Sequence, residues 1–211
     1  MDIKNIRSEY SKGSIDFSNI PSNPINLFNL WIKDALELYK SDANACVLST
    51  VDLENKPSSR VVLLREISNK GFIFYTNYNS NKSNDINNNN NVCLNFYWNK
   101  LERQVRVNGF VQKVDVHLSD KYFKSRPIKS QIAATISPQS QEIDINTNLS
   151  SKLNNELNNK NLDLIKRPDH WGGYCVMPNK IEFWQGRDSR LHDRLLYKII
   201  NNRWKTSRLA P

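Results

Sequence analysis

Apolar positions along this chain change their spacing several times, and each change marks an element. From Pro24 onward Leu27, Phe28, Trp31, Ile32, Ala35, Leu36, Leu38 and Tyr39 keep a helical period over four turns, with Asn23 or Pro24 opening the helix. The period then becomes that of strands. Ala45–Val51, Ser59–Leu64 and Gly71–Thr76 are β-branched or aromatic runs separated by the turn-forming spacers D-L-E-N-K-P and I-S-N-K-G, which predicts three antiparallel strands in meander order. The asparagine-rich stretch Asn77–Asn91 leaves room for a short helix starting at Ser80. Val92–Trp98 and Glu102–Val116 read as further strands. In the second of these Val105, Val107 and Val111 share one parity and Glu102, Gln104, Arg106 and Asn108 the other, so one face is polar and available to line a site. His117–Arg126 and Ser130–Ile136 read as short helices interrupted by Pro127, and Leu149–Leu164 as an amphipathic surface helix. Tyr174–Met177, Ile181–Trp184, Leu195–Ile200 and Trp204–Ser207 complete the strands. Many closely spaced strands with few helices predict a mainly β chain with flanking helices (α+β), its sheet closed or split as a barrel, since long sheets rarely leave open edges. Residues 1–23 form a polar amino-terminal arm with a short helix near Ile3–Tyr10, and 24–211 form the domain.

Composition narrows the partners. A chain of 211 residues is long enough for one sizeable core, and five Trp, eight Tyr and eight Phe anchor it despite a hydrophobic fraction of 38%. The net charge of +9 favours an anionic partner: nucleic acid, acidic lipid or a small phosphorylated ligand. Cys46, Cys93 and Cys175 lie in apolar runs and read as small core residues; His117, His170 and His192 are too scattered to be metal ligands. No apolar leader and no 18-residue apolar run is present, so a cytoplasmic protein without membrane association is expected. Six glycines, at 13, 71, 109, 172, 173 and 186, permit neither a dinucleotide fingerprint nor a phosphate-binding P-loop, and no Ser sits in G-x-S-x-G.

Three groups then carry candidate chemistry. The densest is Trp184–Arg194, W-Q-G-R-D-S-R-L-H-D-R, which reads as a loop between two strands. Gly186 would let a flat ring approach the backbone and Trp184 would stack on it, with Lys82, Gln104, Gln139 and Ser140 as possible company. The second is Arg60–Arg65, where alternation puts the two arginines on opposite strand faces, serving either different contacts or merely a solvated surface. In the third, Tyr122 and Arg126 share a helix face, Pro127 biases Arg126 toward the helix end, and Ser130 would cap the next helix. That combination makes either a phosphate cup or an ordinary helical corner.

Taken together, R-V-V-L-L-R, F-Y-T-N, L-E-R-Q-V-R-V-N-G, Y-F-x-S-R-P, S-x-Q-S, W-G-G-Y, I-E-F-W-Q-G-R-D-S-R-L-H-D-R and the terminal R-L-A-P, running in order from about Ile6 to Pro211, resemble the pyridoxine (pyridoxamine) 5'-phosphate oxidase family. The resemblance implies an FMN-binding split β-barrel and a homodimer with FMN sites at the subunit interface. The implied cofactor contacts are Arg60, Val61, Val62, Leu63, Leu64, Arg65, Tyr75, Thr76, Asn81, Lys82, Gln104, Gln139, Ser140, Trp184 and Arg194, with Arg60 and Lys82 on the FMN phosphate. The implied contacts to a small phosphorylated pyridine substrate are Arg65, Tyr122, Arg126 and Ser130 at the phosphate, and Arg190, Leu191 and His192 at the ring. Arg7, Ser8, Glu9 and Tyr10 of the arm would close over the site. Arg190 and His192 are the implied catalytic pair, and Arg187, Asp188 and Ser189 are left as solvent-side residues. Two positions depart from the family pattern, which usually has Lys where Arg65 stands and an Arg-Lys pair where this chain has Asn81-Lys82. Competing readings are a split-barrel flavoprotein with another substrate, a non-catalytic pyridoxal-phosphate binder, and a nucleic-acid binder; the last is disfavoured because the basic residues are dispersed among the motifs.

Overall fold

The helix opened by Asn23 is α1, Pro24–Tyr39, in which the Asn23 side chain accepts from the Ile25 N–H at 2.9 Å and a proline stands in the first turn. Its apolar stripe buries Phe28, Trp31, Ile32 and Ala35. Phe28 meets Phe72 and Phe96 edge-on at 4.8 and 5.0 Å, and Trp31 meets Phe183 at 5.2 Å, so α1 closes the interior of a curled sheet. This computed structural model describes residues 2, 4, 5, 9–159 and 165–211. Half of the helix expected near Ile3–Tyr10 falls outside them; Lys4, Asn5, Glu9 and Tyr10 are described and lie in no helix.

After α1 come β1 (Ala45–Val51), β2 (Pro57–Leu63), β3 (Glu66–Ser68), β4 (Gly71–Asn77), α2 (Asn81–Asn88), β5 (Asn91–Trp98), β6 (Arg103–Lys113), α3 (Val116–Ser125), α4 (Ile128–Ile136), α5 (Leu149–Asn159), β7 (Trp171–Gln185), β8 (Asp193–Ile200) and β9 (Arg203–Arg208). The strands form one antiparallel sheet in the order β2-β1-β5-β6-β7-β4-β3, with β8 on β7 and β9 on β8. The mainly β architecture is as expected, but the meander is not. β4 pairs with β3 and β7, not with β2, because part of the presumed turn before Gly71 is itself the short strand β3. Strands β2 and β3 end the path yet follow one another in the chain. Leu64 N–H bonds to Asn44 O and Arg65 N–H to Ile73 O, both at 2.8 Å, so the chain leaves β1 and joins β4 within two residues and draws the sheet round on itself.

The two runs expected as separate strands around Pro178 are one, β7. It stays continuous because the register shifts between Asn108 and Gly109, opposite Pro178, and a β-bulge tolerates a residue that cannot donate. A Cβ on Gly109 would sit 2.1 Å from Met177 O, so only glycine fits there. On its other edge β7 pairs with β4 through Trp171–Val176 and with β8 through Lys180–Gln185. The sheet therefore forks at the bulge. The expected helix Leu149–Leu164 ends at Asn159 within the described residues. No helix among them is long and apolar enough to cross a membrane.

Phe28 is fully buried among aromatic rings. Phe28→Ala should lower unfolding free energy in urea by about 3–5 kcal/mol. Leu53→Ala, at a position 76% exposed, should stay within about 0.5 kcal/mol.

Candidate active site

A cavity of about 410 Å³ opens where β2, β4, α2, α3 and α4 meet. Its walls are Val61, Val62 and Leu63 of β2, Tyr75, Thr76 and Asn77 of β4, Ala133 and Ala134 of α4, with Ser137, Gln139 and Trp171. Among the described residues its charged lining consists of Arg65, Lys82 and Arg126, with no Asp or Glu.

Lys82 stands in the first turn of α2, buried, its Nζ donating to Thr76 Oγ1 at 3.1 Å and Ser80 Oγ at 3.0 Å. Ser80 and Ser83 both donate their hydroxyls to Asn77 O, which fixes the helix start against β4. Burial lowers the Lys82 pKa to about 8, and the nearby charge of Arg60 adds to the effect. Lys82 is in no ion pair among the described residues.

Arg126 is a second cationic group of the lining. Pro127 excludes it from the helical region, so it ends α3 with φ −75° and ψ 151°. Gln131 Nε2 holds that turn by donating to Arg126 O at 2.8 Å and Lys124 O at 3.3 Å. The guanidinium lies 4.6 Å from the centre of the Trp171 ring, and its Nη1 is buried without a hydrogen-bond partner. Burial lowers its pKa; Tyr122 partly offsets this and the charge of Arg65 reinforces it. Tyr122 stacks on Tyr75 at 3.9 Å with 18° between the rings. Burial pushes the Tyr75 phenol up to about 12, keeping it a hydrogen-bond donor at neutral pH.

Gln104, Trp184 and Arg194 gather elsewhere, directly opposite one another on β6, β7 and β8. Arg194 donates through Nε to Glu182 Oε1 at 2.9 Å and through Nη1 to Ala210 O at 2.7 Å, and Arg106 pairs with the other Glu182 oxygen. Burial alone would raise the Glu182 carboxyl, but hydrogen bonds from Arg194 and Arg106 bring it below its ordinary range. The loop after β7 contains a 3-10 turn, Asp188–Arg190, with Ser189 and Arg190 at φ 53° and 61°. His192 Nδ1 accepts the Arg187 N–H at 3.1 Å, so the neutral ring carries its proton on Nε2. Trp184, His192 and Tyr10 pack together, with centroids 4.7 to 5.6 Å apart. Gly186 does admit a flat ring, and that ring is Tyr10, whose Cγ would lie 2.8 Å from an added Cβ.

The structure thus divides the candidate residues into two groups. None of Gln104, Trp184, Arg190, His192 and Arg194 lines the cavity that holds Lys82 and Gln139. Gln139 Oε1 accepts the Asn77 N–H at 3.3 Å, while Ser140 is exposed with φ 71°. Arg60 lies outside the lining: it donates to Thr50 Oγ1 at 2.6 Å and lies 3.7 Å from Asp85. Opposite faces of one strand do not describe the two arginines, since β2 ends at Leu63 and Arg65 follows a change of pairing partner. Ser130 does not cap α4. Pro127 takes the cap position, and Ser130 sits in the first turn with its N–H on Pro127 O, outside the cavity lining.

Leu64 is core, Asn81 is exposed at the start of α2, and Glu9, Arg190 and Leu191 are exposed. Arg7 and Ser8 lie outside the described residues. Glu102 precedes β6 in a left-handed turn, φ 55°, and is buried instead of lining the polar face. Arg187 is not a solvent-side residue, because its backbone orients His192 and its side chain reaches Asp193 at 3.3 Å. Trp171 and Gln131 have no assigned role in the motifs; for Trp171 the available signal was an aromatic beside two glycines, and for Gln131 there was none.

Residues 32–150 match the family described as pyridoxamine 5'-phosphate oxidase, and residues 171–211 match the pyridoxine 5'-phosphate oxidase C-terminal dimerisation region. A pyridoxine/pyridoxamine 5'-phosphate oxidase of Legionella pneumophila (strain Lens) is 47% identical over 209 residues, covering 99% of this chain and 97% of that protein. One of Leptospira interrogans is 45% identical over 213 residues, covering 99% and 98%. Among solved structures, PhzG from Burkholderia lata 383, in complex with tetrahydrophenazine-1-carboxylic acid, superposes with a TM-score of 0.86 at 28% identity, covering 94% of this chain and all of that one. A pyridoxamine 5'-phosphate oxidase-related, FMN-binding protein of Nostoc punctiforme shares the fold, with a TM-score of 0.71 at 16% identity, covering 92% and 100%. This chain, matched over nearly its whole length, belongs to the pyridoxamine 5'-phosphate oxidase family.

Proposed function

We propose that the chain is an FMN-dependent oxidase that converts pyridoxine 5'-phosphate and pyridoxamine 5'-phosphate to pyridoxal 5'-phosphate. Dioxygen is the electron acceptor and becomes hydrogen peroxide; the amine substrate also consumes water and releases ammonia. The observation that carries this reading is a cavity with three cationic side chains, Arg65, Lys82 and Arg126, and no carboxylate among its described lining residues. Two phosphates, one from a cofactor and one from a substrate, match that charge; a flavoprotein acting on an unphosphorylated compound would leave part of it unmatched.

The residues fit FMN. Lys82, buried and lacking an anion, would take its phosphate together with Thr76, with Arg60 contributing charge from behind. Val61, Val62 and Leu63 offer an apolar wall, and Gln139 lines the same cavity, with Ser140 next to it in the chain. Bound FMN supplies the hydride acceptor and its reoxidation by dioxygen. Arg65, Arg126 and Tyr122 would hold the substrate phosphate, fixing the pose by contacts remote from the reacting carbon. Arg190 and His192 would orient the pyridine ring, with His192 donating from Nε2 because Nδ1 is already occupied by Arg187 N–H. Asn81 supplies no cation where the family usually has one, which places more of the FMN phosphate on Lys82. Arg65 presents a fork where the family usually presents a point charge.

A homodimer accounts for the separation of the two groups. Gln104, Trp184, Arg190, His192 and Arg194 of one copy would complete the cavity of the other, and all but Gln104 lie in the segment that matches the dimerisation region. Val61, Leu63 and Tyr97 leave 67%, 41% and 53% of their surfaces exposed, apolar area suited to a second copy. The arm, residues 1–23, would cover the completed site through Tyr10. A cytoplasmic setting fits three unpaired cysteines.

Lys82→Gln should weaken FMN binding at least tenfold in a flavin-fluorescence titration. In the unaltered protein FMN affinity should fall as pH rises through about 8, where the ammonium loses its proton, and the variant should lack that step. The sign for stability is opposite. The native value lies below the ordinary 10.5, so the ligand-free fold is penalised at neutral pH and gains stability between about 8 and 10.5. Oxygen uptake should be seen with the FMN-loaded protein and either phosphorylated vitamer. Arg190→Ala should cut turnover at least a hundredfold with FMN affinity nearly unchanged; equal loss of both would remove Arg190 from the substrate side.

A further inference from the structure

Asp193 lies between two residues with proposed roles, His192 and Arg194, yet its carboxylate faces neither cofactor nor substrate in that scheme. It is buried and makes three contacts to three separate parts of the chain. Oδ2 accepts the Ile15 N–H of the arm at 3.1 Å and Arg187 Nη1 of the loop at 3.3 Å; Oδ1 accepts Arg208 Nη2 of β9 at 3.2 Å. Arg208 in turn lies 4.4 Å from the centre of the Phe17 ring, a second grip on the arm. A second buried carboxylate repeats the pattern nearer the tip. Glu102 Oε2 accepts the Lys12 N–H at 2.9 Å, and Glu102 O accepts the Gly186 N–H at 2.8 Å. Just beyond the second anchor, toward the N-terminus, Tyr10 packs on Gly186, Trp184 and His192.

Backbone N–H groups of an irregular arm have no partners of their own, so a buried carboxylate aimed at one of them specifies where the arm lies. An aspartate with two guanidiniums and an amide on it is fully used, and its charge is balanced only while loop and C-terminal strand stay in place. We propose that Asp193 is a positioning residue that latches the arm onto the loop carrying Arg190 and His192, with Glu102 as the outer hook. The effect on substrate rests on the function proposed above; the latch itself does not. Closure of Tyr10 over the site and the orientation of His192 through Arg187 are then one coupled arrangement.

The test is Asp193→Asn in the FMN-loaded full chain, with Arg208→Gln as a milder variant on an edge strand. Trypsin cleavage after Lys12, followed by mass spectrometry, reports release of the arm without reference to activity. Asp193→Asn should be cut about tenfold faster and Arg208→Gln a few-fold faster, as expected for losing charge-assisted hydrogen bonds. In oxygen-uptake assays KM for pyridoxine 5'-phosphate should rise about tenfold for Asp193→Asn, with kcat and FMN affinity near those of the parent. Unchanged cleavage in both variants overturns the latch, and Arg208→Gln decides alone if Asp193→Asn does not fold. Faster cleavage with KM unchanged overturns the link to substrate while leaving the oxidase reading intact.

Discussion

A buried ammonium with no anion beside it among the described residues is an unusual thing for a fold to keep. Desolvation of Lys82 has a cost, visible in a pKa lowered to about 8, and the side chain is held only by the hydroxyls of Thr76 and Ser80. Those hydroxyls are in place because Ser80 and Ser83 tie the start of α2 to the end of β4. Arg126, with Nη1 buried and unpartnered, repeats the condition in the same cavity. In the proposed function, anions entering that space would satisfy both groups together.

The sheet supplies the arrangement through its fork. One long strand, β7, gives its first half to β4 and the cavity and its second half to β8 and the Trp184–Arg194 loop. The bulge at Gly109 opposite Pro178 is what lets a single strand serve both. Because the halves diverge, the loop does not reach its own chain's cavity. In the proposed homodimer a symmetric pair of chains would close the gap with two sites, each drawing on both copies.

Much of this was legible in the sequence where period and turn chemistry act locally. α1 follows from its apolar spacing and Asn23, α2 from Ser80 despite the asparagine run, and the end of α3 from Pro127 acting on Arg126. The motifs identified Lys82, Arg65, Tyr122 and Arg126, which the fold brings to one cavity. Pairing was not legible, because β4 joins β7 across nearly 100 residues and nothing in Gly71–Asn77 encodes that partner. Strand β3 was hidden in a spacer of only a few residues. Ser130 was misplaced because Pro127, with its fixed φ, starts the next helix itself. Asp193 and Arg187 were invisible as contacts, since a loop's internal hydrogen bonds depend on an arm that lies nearly 180 residues away in the chain.

In the proposed dimer each site takes its cavity from one chain and its loop from another. Mixing Arg126→Ala, defective in the cavity, with Arg190→Ala, defective in the loop, tests it after unfolding and refolding the two together with FMN. Oxygen uptake should return to roughly a quarter of the parent level, because half the dimers are mixed and each mixed dimer holds one intact site. If the mixture stays as inactive as its components, each site is built within a single chain and the account is wrong.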